Sequence, residues 1–287
     1  MTAPDGAAAP PFATFWQGPL DAIAYGCMAS FAHFGVGLCV YSYEDRRDAP
    51  RGVEWADARR ICPDESLRRR YIVDGKPSIA AFADMFRYRM IRQTGRCWVD
   101  SDILCLREPD FAREPIVFGR QSEVRGESVI NNAVLKLPPA DPTLNELIEK
   151  AERAVDVDQT WGAIGPFLLT EIATRNGVDR LAREFHHFYP IDPDSFWKLF
   201  LPAYRDEVAE AARAATFLHL WGELIARSGY DRSACPPAGS FLADAFRRLG
   251  VIDRFARVYA ADEVEALTAR WIAAAGRSKE SDSAAPP

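Results

Sequence analysis

Positive charge is in short supply in this chain. Its 35 basic residues are outnumbered by 41 acidic ones, for a net charge of −6, which excludes nucleic acid as an expected partner. Paired cysteine motifs are absent too. Cys27, Cys39, Cys62, Cys97, Cys105 and Cys235 include no CxxC, and several sit in apolar runs where a free thiol behaves as a small hydrophobe. The Ala/Pro-rich start lacks the basic opening and apolar core of a secretory signal. Together these absences exclude a disulfide framework and predict a reducing, cytoplasmic setting. An unbroken membrane span is missing as well. Ala22 to Tyr43 carries no Asp, Glu, Lys or Arg, but Gly35-Val36-Gly37 breaks it and His33, Ser30 and Ser42 interrupt it. That stretch parses as helix, glycine turn and buried strand. No internal repeat and no separating linker appears. The expectation is a single domain over 12–275, divided functionally at 137/138, with disordered tails at 1–11 and 276–287.

What is present is ample apolar material, 48% of the chain, arranged in alternating periods. Strands are predicted at about 13–17, 37–43, 97–104, near Ile116–Gly119 and at Val129–Leu137. Helices are predicted at 20–34, 77–93 and about 142–155, with a looser helical stretch at 54–70 and a mostly helical region after 160. Strands alternating with helices imply an α/β fold with a mainly parallel sheet covered on both faces. Ligands of such sheets bind outside the carboxyl ends of the strands. Phe15–Gly18 and Asp100–Asp102 both fall at such ends.

Cys97-Trp98-Val99-Asp100-Ser101-Asp102-Ile103-Leu104 holds the most specific chemical signal. Two carboxylates stand two residues apart in an otherwise apolar run. On a strand they share a face, where they repel each other and resist desolvation. A divalent cation removes both penalties, because hard cations prefer carboxylate oxygen. Pro77 to Ile91 precedes this pair and reads as a helix, with Ile79, Phe82, Phe86 and Met90 as an apolar stripe and Asp84, Arg87 and Tyr88 on another face. Gly95 stops it.

Ala83-Asp84-Met85-Phe86-Arg87-Tyr88, Gly95 and Trp98-Val99-Asp100-Ser101-Asp102 together resemble the Asp-x-x-Arg-Tyr … Gly-Gly-x-Tyr-x-Asp-x-Asp signature of the DXD-containing glycosyltransferases, which include α-1,4-glycosyltransferases and capsular and lipopolysaccharide sugar transferases. The likeness runs in order through Phe15-Trp16-Gln17-Gly18, Ala29-Ser30-Phe31, Tyr41-Ser42-Tyr43, Asn131-Asn132-Ala133, Gly165-Pro166 and His219-Leu220-Trp221. Thr94-Gly95 stands where the family has Gly-Gly, and Trp98 where it has Tyr.

The resemblance implies a GT-A fold, a Rossmann-like sheet with a mostly helical C-terminal part. It implies metal-dependent transfer of a hexose from a nucleotide sugar, with a UDP-sugar the expected donor, to a glycan or glycolipid in surface polysaccharide or lipopolysaccharide synthesis, with retention. Mn²⁺ or Mg²⁺ would be held by Asp102 directly, with His219 as a further ligand and Asp100 shared with the donor. An imidazole ligand favours Mn²⁺. Asp84 and Arg87 would hold donor oxygens, and Asn132 or its neighbour Asn131 the reacting sugar or the acceptor. Phe15, Trp16 and Gln17 would receive the base, and Trp221 would close over the diphosphate. Gly165-Pro166 would present backbone N–H groups to an acceptor. His186-His187 has no metal-like spacing. No unambiguous nucleophile appears, so a front-face mechanism is expected.

Simpler readings exist for each of these. Asp84 and Arg87 also fit an intrahelical ion pair, His219 and Trp221 core packing, and Asn131-Asn132 a turn. Arg46-Arg47, Arg59-Arg60 and Arg68-Arg69-Arg70 fit solvated faces, or peripheral contact with the inner membrane surface or a lipid-linked acceptor. At the level of function, the alternatives are an inactive sugar-nucleotide or glycan binder on the same fold and a haloacid-dehalogenase-like phosphatase. The latter places its aspartates near the chain start and needs a later Lys with an acidic pair; here the motif lies at 100–102 and no convincing later set follows.

Overall fold

The computed structural model describes residues 10–111, 113–121 and 128–283. Its centre is a six-stranded sheet. The strands are β1 (Phe12–Phe15), β2 (Leu38–Ser42), β3 (Glu54–Asp57), β4 (Cys97–Val99), β6 (Val117–Arg120) and β7 (Ile130–Lys136); β5 (Ile103–Cys105) leaves the sheet to pair antiparallel with β8 (Phe217–His219). Across the sheet the order is β3-β2-β1-β4-β7-β6. The first four strands run parallel, and β7 is antiparallel to both β4 and β6. The architecture is therefore mixed α/β with a mainly parallel central sheet.

Sequence alternation explains why both faces are covered. In β4, Cys97 and Val99 enter one core layer and Trp98 the other. One layer packs under α1 (Ala22–His33) and, from the end of the chain, α7 (Phe241–Arg248). The opposite layer packs under α2 (Ile79–Thr94), α3 (Pro142–Arg153) and α4 (Pro166–Arg175). Three further helices complete the C-terminal part: α5 (Arg205–Ala211), α6 (Gly222–Arg227) and α8 (Ala261–Ser283). The chain winds outward from β1 through β2 to β3, then returns to place β4 on the other side of β1. That reversal opens a crevice at the carboxyl ends of β1 and β4.

Several expectations need correction. The strand expected over 97–104 is two strands broken by a turn at Asp100–Ile103, closed by the Ile103 N–H donating to the Asp100 carbonyl at 3.0 Å. The stretch 54–70 opens as the edge strand β3, parallel to β2, before two 3-10 turns. Pro77 precedes the helix; Ser78 is its N-cap, accepting from the Ala81 N–H at 3.2 Å, and Gly95 closes it at φ 66°. Asn131 and Asn132 sit within β7 and form no turn.

The tails differ as well. Pro10 is buried and the Pro11 carbonyl accepts from Cys97 N–H, so order begins before Phe12; residues 1–9 of the expected tail lie outside the described residues. The last helix continues to Ser283, because alanines, Arg277, Lys279 and Glu280 are strong helix formers; 284–287 lie outside the described residues. All six cysteines are buried and free. No helix among the described residues is long and apolar enough to cross a membrane.

Candidate active site

The crevice between β1 and β4 widens into a cleft of about 530 Å³. Residues from both ends of the chain line it, including Trp16, Asp84, Arg87, Asp100, Asp102, His219 and Trp221.

Asp100 and Asp102 converge through the turn, not through strand alternation. Asp100 follows the end of β4, and Asp102 lies in the turn immediately before β5. The β5–β8 ladder then sets His219 opposite Ile103, one residue beyond Asp102. His219 Nε2 lies 3.1 Å from Asp102 Oδ2, and the same oxygen accepts the Gly222 N–H at 2.6 Å. Ligand atoms of Asp100, Asp102 and His219 all fall within 4.8 Å of one another. Two carboxylates and one imidazole are the donor set of a divalent transition ion such as Mn²⁺. The buried Nδ1 of His219 has no partner among the described residues, so the imidazole is not locked in place from behind.

Asp102 and His219 favour each other's charged forms. Burial opposes ionisation of Asp102, yet His219, the Gly222 N–H and Arg232 outweigh it and hold the carboxyl well below its usual range. Burial likewise lowers the His219 pKa, but the Asp102 carboxylate more than reverses this and the net shift is upward.

Tight backbone geometry supports the cluster. Trp221 adopts φ 58°, a left-handed conformation uncommon for a bulky residue. It delivers Gly222 directly against Asp102, where a Cβ would lie 2.9 Å from Oδ2. Trp221 is buried, donates its indole N–H to the Ile191 carbonyl at 2.8 Å and packs on His219 with ring centroids 4.2 Å apart. Behind Gly222, Arg232 pairs with Asp21 at 2.8 Å.

On the other side, Arg87 is 4% exposed and bridges two carboxylates, Asp84 Oδ1 at 3.1 Å and Asp100 Oδ1 at 3.0 Å. The expected i,i+3 pair therefore exists, but it is interior and shared. Arg87 also donates to the Asn132 carbonyl and lies over Trp98, whose indole N–H donates to Asp100 Oδ1 at 2.6 Å. Burial pushes Asp84 up to about 6, against the lowering effect of Arg87 and with a further upward contribution from Asp100. Asn132 donates to Asp84 Oδ1 at 2.9 Å, so its side chain braces this network. Asn131 instead donates to Gln121 at 2.6 Å.

Tyr88 reaches the loop before α4, donating to the Ile164 carbonyl at 2.9 Å. Gly165 in that loop lies so close to Asp84 that a Cβ would sit 2.7 Å from Oδ2. Asp84 and Tyr88 of the Asp84-x-x-Arg87-Tyr88 pattern thus face the loop before α4, while Arg87 faces Asp100 and β7.

The base-binding expectation divides. Phe15 is buried in an aromatic cluster with Phe82, Phe86 and Tyr43, so its ring serves the core. Trp16 is half-buried at the cleft, with its N–H on the Gly18 carbonyl at 3.1 Å. Gln17 accepts from Arg68 at 2.8 Å. Arg46, Arg47, Arg59, Arg68 and Arg70 each pair with a nearby carboxylate, which offsets much of the local positive charge. His186 is exposed and His187 half-buried on a short 3-10 turn, and neither lines the cleft.

Sequence reasoning missed Gly222, Arg232 and the loop Thr160–Ile164. Gly222 follows His219-Leu220-Trp221 directly and was within reach of that motif. The other two carry no local signal.

No protein-family model and no curated protein matches the chain. Among solved structures it is similar to one titled "PaToxG Glycosyltransferase", at 11% identity over 75% of this chain and 88% of that chain, with a TM-score of 0.37. A likeness of that size carries no argument about what this cleft does.

Proposed function

We propose that this chain is a metal-dependent glycosyltransferase with a GT-A fold. It would transfer a hexose from a nucleotide sugar, with a UDP-sugar as donor, to a glycan or glycolipid in surface polysaccharide or lipopolysaccharide synthesis. The observation that carries the reading is the convergence of Asp100, Asp102 and His219 in a cleft at the carboxyl ends of the two strands flanking the sheet's switch point. A divalent cation held by these three side chains would act as a Lewis acid towards the departing diphosphate.

The chain's own residues supply the remaining work. Arg87 keeps Asp100 oriented and neutralises part of its charge. Asp84 offers a carboxylate oxygen beside Gly165, where a donor-sugar hydroxyl would bind. Trp16 presents a ring to the nucleoside base. Trp221 and Leu220 exclude water behind His219. Of the carboxylates lining the cleft, Asp84 and Asp100 are engaged with Arg87, Asp102 with His219 and Glu223 with Arg227, an arrangement that favours a front-face, retaining transfer. The reading places the protein on the cytoplasmic side of a membrane, with at most peripheral contact.

The test is a thermal-shift panel of nucleotide sugars, each with and without Mn²⁺, on wild type and Asp102→Ala. Stabilisation by one UDP-sugar that needs both Mn²⁺ and Asp102 supports the proposal, and turnover of that donor separates a transferase from an inactive binder. No response to any nucleotide sugar under any metal condition overturns it.

A further inference from the structure

The cleft has two chemically different ends. Its charged residues come from Asp84 and Arg87, the 100–102 turn and the segment 219–232. The residues of segments 73–83 and 159–166 that line it carry no charge. At that neutral end, Trp161 lines the cleft yet is 47% exposed, and Ile79, which also lines it, is 39% exposed. Among the described residues the Trp161 indole makes no hydrogen bond or ring contact, so both its face and its N–H are available.

The loop bearing Trp161 is built to hold it. Ala163 N–H donates to the Thr160 carbonyl at 3.2 Å and Gly165 N–H to the Gly162 carbonyl at 3.0 Å, giving two successive tight turns. Gly162 has φ 79°, and a Cβ there would meet the Phe167 ring at 3.1 Å, so a larger residue would displace the loop. Tyr88 and Asp84 pin its far end. An exposed tryptophan on a pre-formed loop costs a ligand little ordering entropy.

Resting on the transferase reading, we infer that Trp161 and Ile79 form the acceptor subsite, and that it takes a neutral hexopyranose ring stacked on the Trp161 indole. A pyranose has an apolar C–H face for the ring and hydroxyls for the indole N–H and for Gln159 and Thr160. None of the residues lining this end is a cation, and Lys76, in the adjoining strand pair, stands outside the lining. An alkyl chain would desolvate Gln159 and Thr160 without replacing their hydrogen bonds.

The experiment uses the full chain and saturation-transfer NMR with methyl glucopyranoside, methyl galactopyranoside and methyl N-acetylglucosaminide, with octanol and N-acetyltyrosinamide as competing probes. UDP with Mn²⁺ is titrated calorimetrically in parallel. The expected result is binding of at least one methyl glycoside, weakened roughly tenfold in Trp161→Ala, equivalent to about 1.4 kcal/mol. Trp161→Phe should retain most of it, and UDP–Mn²⁺ affinity should match wild type in both variants. Equal glycoside binding by wild type and Trp161→Ala overturns the inference. So does Trp161-dependent binding of octanol or N-acetyltyrosinamide alone. Intact UDP–Mn²⁺ binding with no glycoside binding sinks this subsite and spares the transferase reading. Trp161-dependent glycoside binding without UDP–Mn²⁺ binding sinks that reading and leaves a sugar site.

Discussion

Asp100 and Asp102 are two residues apart and are held in opposite ways. Asp100 is fixed by a guanidinium and an indole N–H, partners that keep their protons at any ordinary pH. Asp102 is held by an imidazole and a backbone amide, and the imidazole can give its proton up. One carboxylate is thus set permanently, while the other has a partner able to exchange a proton for a metal. The difference suggests that Asp100 gives the site its shape and Asp102 its exchangeable ligand.

The comparison breaks most visibly at Asp102. If it is the direct metal ligand, Asp102→Ala should cut kcat by about 10³-fold or more, since Lewis-acid stabilisation is worth several kcal/mol. Unchanged turnover, measured with the UDP-sugar identified by thermal shift, would remove the metal assignment. Arg87→Ala should act on the other half by destabilising the fold by about 2–4 kcal/mol, because it removes the shared cation from two partly buried carboxylates. Urea unfolding checks this, and a loss under 1 kcal/mol would mean that solvent already screens the triad.

His219→Ala should weaken Mn²⁺ binding by at least the roughly 10–100-fold that loss of a ligand's supporting partner costs. Calorimetry on the folded variant decides: if only thermal stability falls, His219 is a core residue.

The smallest effect is expected at Asp84. Its pKa is raised to about 6 from an ordinary 3.8. Between those values the folded chain keeps a proton that the unfolded chain has lost. The contribution of Asp84 to stability is therefore fully present below pH 3.8 and falls as pH rises through 6. Asp84→Asn removes this titration, so the variant should gain about 1–2 kcal/mol on wild type between pH 4 and 6.5. A difference flat with pH would show that Arg87 keeps Asp84 ionised throughout.

How legible each half was follows from sequence distance. Asp84, Arg87, Tyr88 and Asp100 fall within one helix–turn–strand unit, so helical spacing and the Gly95 stop revealed their shared face. The break at Asp100–Ile103 was hidden because apolar residues flank it on both sides, and a strand and a strand–turn–strand then share one pattern. Only the pairing of β5 with β8, more than a hundred residues away, shows that the chain changes sheets there. Asn131 and Asn132 looked like a turn because amides favour turns locally. In the fold Asn132 finds Asp84, and this tertiary partner outweighs the local preference. The contact of Gly165 with Asp84 leaves no trace in either segment alone.

Trp221 and His219, with ring centroids 4.2 Å apart, give the molecule an optical property. A protonated imidazole quenches indole emission by accepting an electron from the excited state, and a deprotonated or metal-bound one does so far less. The fluorescence of this one tryptophan, isolated as the difference between wild type and Trp221→Phe, should brighten on addition of a diamagnetic stand-in such as Zn²⁺, whereas paramagnetic Mn²⁺ would itself quench it. A difference spectrum that ignores the ion would mean that His219 stays protonated throughout.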